Sequence, residues 1–173
     1  MPTFASLQHR HARRNARFAL IIAASGALWP EVGAAYTTNP FADFIGAWRG
    51  FGHVVVSDGR SERISCRATY SGTGGGKTLS QSLVCASDSY RFDVHSYVVA
   101  DDRGVEGYWQ ETSRNVTGHL TGQINGGQFE GSIAGASFTA QLALKTTGRK
   151  QAVTITPQGG DIVRVEIMLS RES

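Results

Sequence analysis

The chain predicts an all-β fold: an antiparallel meander of about 8–10 strands closed into a small barrel or barrel-like sandwich. Three observations carry this expectation. From Ile45 onward apolar residues alternate with polar ones segment after segment, and no stretch keeps a 3.6-residue apolar period for three turns. Gly is abundant, with 21 residues among 173, well above the ~7% usual in soluble proteins. Clusters of Gly, Asp and Asn punctuate the alternation at the short spacing that hairpins need.

The amino terminus stands apart from this pattern. Residues 1–17 carry Arg10, Arg13, Arg14 and Arg17 with no acid, 18–29 are apolar, and Pro30 and the small run Gly33-Ala34-Ala35 follow. This is the layout of a secretory signal peptide, 1–35, cut after Ala34 or Ala35. The apolar run is 12 residues, short of the ~20 that span a bilayer, so no transmembrane segment is expected after cleavage. Arg13-Arg14 reads as ordinary leader charge, because its neighbours fit a twin-arginine signal poorly. The expected location is periplasmic or extracellular.

Removing 1–35 takes away four Arg and Glu31, so Lys+Arg falls from 17 to 13 and Asp+Glu from 14 to 13. The mature chain is then neutral, the basic balance belongs to the leader, and nucleic acid is not an expected partner. Asn115-Val116-Thr117 has the form of a glycosylation acceptor, a tripeptide too short to identify a host.

After a lead-in at 36–44, the single domain 45–173 divides into strands at 46–57, 61–70, 78–87, 89–100, 105–113, 115–125, 128–135, 137–146, 151–157 and 162–171. Asp58-Gly59, the run 101–104, Asn125-Gly126-Gly127 and Thr147-Gly148 supply the turns. Alternation sends Tyr90, Phe92 and Val94 inward, then Phe138, Ala140, Leu142 and Leu144, then Val163, Val165, Ile167 and Leu169. Adjacent Tyr108 and Trp109 must point to opposite sides. In the middle of the chain Gly shares the inner face with apolar residues: Gly118, Leu120 and Gly122, then Phe129, Gly131 and Gly135. Either these glycines permit coiling and close approach of chain segments, or they leave room for a ligand.

Cys66 and Cys85 sum to 151, so a hairpin centred between Gly75 and Gly76 sets them directly opposite. The same register gathers Ile64, Ala68 and Tyr70 with Leu79 and Leu83 on one face. In an exported protein a disulfide is the expected state.

Catalytic and metal motifs do not form. The run 72–78 resembles a phosphate-binding loop, but Ser71 stands where the first Gly is needed and a strand follows where a helix must. His53, His95 and His119 are isolated and outward-facing. Glu106 and Glu111 lie on opposite faces of one strand, which argues against a paired-carboxylate site. No Gly-x-Ser-x-Gly elbow is present. The expectation is a protein that is no enzyme and has no cofactor and no metal.

The segment 41–50, with Gly46-Ala47-Trp48 at the start of the first strand, resembles the opening of a calycin barrel, the superfamily of lipocalins, fatty-acid-binding proteins and avidins. The resemblance implies that Trp48 closes the barrel floor and that a basic residue, Arg171 or Arg164, packs on it. A large indole with a stacked guanidinium suits that role on physical grounds as well. The expected function is an exported binding module for a small, mainly apolar ligand. The barrel interior near Phe92, Gly118, Leu120, Gly122, Phe129, Gly131, Gly135 and Phe138 would form its site. The alternative is a cell-envelope interaction protein or inhibitor with a filled core.

Overall fold

The computed structural model describes residues 39–173. The expected signal peptide and the first residues of the lead-in lie outside the described residues. Ten strands follow one another: β1 (Gly46–Val56), β2 (Ser61–Thr73), β3 (Thr78–Ala86), β4 (Arg91–Asp101), β5 (Gly104–Glu111), β6 (Val116–Asn125), β7 (Gln128–Gly135), β8 (Phe138–Thr147), β9 (Lys150–Pro157) and β10 (Ile162–Arg171). Each pairs antiparallel with the next, and β1 pairs with β10, so the meander closes into a barrel and not a sandwich. Closure leaves no edge strand to be protected.

The β2–β3 hairpin shows how local chemistry sets register. Gly75 and Gly76 sit at φ 68° and 90°, a left-handed reversal that side chains resist. The tight turn fixes Thr73 opposite Thr78 and, further along, Cys66 opposite Cys85, which are joined by a disulfide. Both cysteines are 1% exposed, so the bridge staples two adjacent strands from inside the wall.

One assignment of faces changes at β10. The β1–β10 ladder shifts between Val55 and Val56, which pair with Arg164 and Ile162 and skip Val163. A one-residue slip inverts every face beyond it. Ile162 therefore turns inward, while Val163, expected in the core, is 41% exposed.

The strand directions give the barrel two distinct ends. At the floor lie the lead-in, the turns 74–77, 102–103, 126–127 and 148–149, and the chain's last residues. At the mouth lie the connections 57–60, 87–90, 112–115, 136–137 and 158–161. The floor is sealed. Phe41 and Phe44 of the lead-in are 2% exposed and Trp48 is wholly buried. The indole N–H of Trp48 donates to the Phe44 carbonyl at 2.8 Å. The Arg171 guanidinium lies 4.3 Å over the indole ring and donates to the carbonyls of Asp43 and Ile45. Arg164 instead faces outward and meets Glu166. A buried chain of hydrogen bonds backs this closure, from the Tyr70 hydroxyl to Gln151 Oε1 at 2.9 Å and from Gln151 Nε2 to Thr146 Oγ1 at 3.1 Å.

Candidate functional site

Above this floor the barrel is hollow. A cavity of about 490 Å³ runs from Phe41 and Phe44 to the mouth loops, within the range of small-molecule sites. Period-2 alternation on nine of the strands, β2 to β10, produces a mostly apolar lining, because every second side chain of a strand points in.

Phe92, Leu120, Phe129 and Phe138 all line this space. Trp109, on β5, joins them and meets Phe138 edge to face, with ring centroids 6.2 Å apart. Gly118, Gly122, Gly131 and Gly135 do not open onto the cavity. A Cβ at Gly118 would fall 2.7 Å from the Trp109 ring, and one at Gly135 3.3 Å from it. Cβ atoms at Gly122 and Gly131 would come within 2.6 and 2.7 Å of the Phe129 ring. At each of the four the nearest atom is a neighbouring strand's carbonyl oxygen, of Ala134, Glu130, Thr121 and Thr117 in turn, with the aromatic ring next, so these glycines serve close approach of chain segments and a molecule in the cavity would meet the rings. Trp109 is 7% exposed and Tyr108 is 59% exposed, the inward and outward members of their pair.

Polar side chains interrupt the apolar lining on the wall and at the mouth. On the wall, Gln81 of β3 and Ser96 of β4 are direct cross-strand partners, and the Ser96 hydroxyl donates to Gln81 Oε1 at 2.6 Å. At the mouth, Arg114 and Asp161 border the opening. Beneath Arg114 sits Glu111, with a buried carboxylate that accepts the backbone N–H groups of Asp93, Ser113 and Arg114 at 3.0, 3.3 and 2.8 Å and the Ser113 hydroxyl. Burial pushes the Glu111 carboxyl up, but these donors outweigh it and hold it below the usual carboxylate range. The carboxylate orders the 112–115 turn and thereby places Arg114, whose guanidinium is 5.4 Å from the Phe92 ring.

The expected site did not include Gln81, Ser96, Glu111 or Arg114. The signal for the wall pair was present: Gln81 breaks the inward series Leu79, Leu83, Cys85, and Ser96 breaks Val94, Val98. His53, His95 and His119 are exposed on the outer surface, and among the described residues no three His, Cys, Asp or Glu gather as a metal site would require. Among the described residues no helix is long and apolar enough to cross a membrane.

No protein-family model and no curated protein matches the chain. Its fold is nevertheless shared with solved structures. The crystal structure of Rv2717c from M. tuberculosis aligns with a TM-score of 0.64 at 13% identity, covering 80% of this chain and 99% of that one. The S-type phycobiliprotein lyase CPES from Guillardia theta aligns with a TM-score of 0.53, again at 13% identity, covering 77% of this chain and 90% of that one. At such identities the fold alone is shared. The second neighbour corrects one expectation: a chain of this fold is named a lyase, so the lack of catalytic motifs does not make this protein a non-enzyme. In a meander, side chains that converge inside the barrel come from separate strands, and short sequence motifs cannot register them.

Proposed function

We propose that the protein is an exported calycin-type barrel that holds a small, mainly apolar ligand in its interior. The observation that carries this reading is the cavity of about 490 Å³, closed at the floor and bordered by loops at the mouth. Phe92, Leu120, Phe129 and Phe138 would contact the ligand, with Trp109 beside them. Burial of apolar surface, at roughly 25 cal/mol per Å², would supply most of the affinity. The hollow interior weighs against the filled-core alternative. Trp48 under Arg171, following Gly46, supports the calycin assignment. The neighbour named a phycobiliprotein lyase supports a working rather than a purely structural barrel. Export is supported by the arginine-led apolar leader and by the disulfide.

Native mass spectrometry of the protein expressed with its leader and purified from an oxidising periplasm tests this reading. A stoichiometric adduct lost on denaturation is the expected result. A bare protein that also takes up no apolar probe would contradict it. The denatured mass, two units below the reduced value when the thiols are oxidised, reports the disulfide independently.

A further inference from the structure

The cavity wall carries a polar station in an otherwise oily surface, and its hydrogen-bond accounting is incomplete on one side. Tyr70, Gln81, Ser96 and Trp109 are successive cross-strand partners on β2, β3, β4 and β5, and all four line the cavity. Three have committed their donors. The Tyr70 hydroxyl gives its proton to Gln151, the Trp109 indole N–H to the His119 carbonyl at 3.1 Å, and the Ser96 hydroxyl to Gln81 Oε1. The Gln81 oxygen accepts that bond, and the Gln81 amide N–H groups are the donors left to the space that Gln81 borders.

An amide donor stripped of water and given no acceptor costs about 1–3 kcal/mol. A hydrocarbon filling this cavity would impose that cost, and a ligand with an oxygen at the right depth would avoid it. A site arranged to hydrogen-bond a group discriminates against an analogue that lacks it for this reason. We infer that Gln81, held by Ser96, is a specificity determinant that selects an apolar molecule bearing a hydrogen-bond acceptor, such as a ketone, within its apolar frame. The inference rests on the ligand-binding reading above and narrows it from apolar molecules in general to oxygenated ones.

Two fluorescent probes separate the claims. Prodan is a naphthalene with a propionyl ketone and a dimethylamino group, and its emission moves to longer wavelength when the ketone accepts a hydrogen bond. Dimethylnaphthylamine is the same ring system without the ketone. Both would be titrated into the full-length-expressed, exported protein and into its Gln81→Leu and Ser96→Ala variants, with thermal unfolding to verify that each variant is folded. The expected result is that prodan binds Gln81→Leu about tenfold more weakly than wild type and emits there at shorter wavelength. Dimethylnaphthylamine should bind wild type and variant alike, or the variant better. Ser96→Ala should weaken prodan less, because the amide survives and only its restraint is lost. Equal prodan affinity and emission in wild type and a folded Gln81→Leu protein would overturn the inference while leaving the binding barrel standing. Failure of both probes to bind wild type would overturn the binding barrel and this inference with it.

Discussion

At the floor of the barrel Trp48 is wholly buried, Phe41 and Phe44 are 2% exposed, and Arg171 ties the lead-in to the wall through two carbonyls. At the mouth, Arg114 is half-exposed and borders the cavity together with Gly159, Gly160 and Asp161. The same ten strands end in a buried aromatic plug on one side and in a rim that borders the cavity on the other. Dense packing carries stability, whereas loosely packed backbone opens at low cost. The difference teaches that, if the barrel binds as proposed, folding and access are divided between its ends: substitutions at the floor should be felt as lost stability, and those at the mouth as altered ligand exchange.

The sharpest way to break that division is Trp48→Ala, which removes a fully buried indole and its bond to Phe44. We expect a loss of about 4 kcal/mol in urea unfolding, and a loss under about 1 kcal/mol would show that the floor is not the keystone. Next comes the staple. Replacing Cys66 and Cys85 together by Ala should cost about 3 kcal/mol in the chain-entropy account, measured as the urea-midpoint difference from the oxidised wild type. Arg171→Met keeps bulk over the indole but gives up the carbonyl contacts, for an expected loss of about 2 kcal/mol.

Closer to the mouth, Glu111→Ala should cost about 1–2 kcal/mol at neutral pH, since three backbone N–H groups lose their acceptor. The pH dependence has a definite sign. The folded-state carboxyl of Glu111 lies below its ordinary value, so its contribution is complete above the unfolded carboxylate range near ~4.3. It is lost as pH falls through the folded value. The urea-stability gap between wild type and variant should therefore narrow as the pH is lowered below the unfolded carboxylate range. The smallest stability effect is expected for Arg114→Ala, within about 0.5 kcal/mol, because its guanidinium is half-exposed and stands 3.7 Å from the Glu111 carboxylate, which keeps its backbone N–H donors in the variant. Stopped-flow release of a bound apolar probe should nonetheless change rate in that variant.

Much of this fold was legible in the amino-acid order. Alternation and turn residues located all ten strands, because a half-buried strand writes its period directly into sequence. The number symmetry of Cys66 and Cys85 about a Gly-rich turn gave their pairing, because hairpin register is set locally. Val163 was misplaced because the irregularity opposite Val55 and Val56 depends on a partner strand more than 100 residues away. The cavity lining was only partly readable. Phe92, Leu120, Phe129 and Phe138 follow from alternation, but whether a glycine leaves empty space or admits a neighbouring carbonyl and ring is decided by tertiary packing, as Ala134 and Trp109 at Gly118 show. Gln81 and Ser96 each look like a surface lapse in a strand, and their meaning emerges only when the register makes them partners.

The most direct test of the central claim, a hollow barrel that takes a small molecule inside, is methyl NMR of the protein titrated with prodan. The account predicts shifts in the inward methyls of Leu79, Leu120, Leu142, Leu144 and Ile155, which line the cavity, with the exposed methyls of Val99, Val163 and Met168 unmoved. Shifts confined to those exposed methyls, with the inward set unchanged, would contradict it.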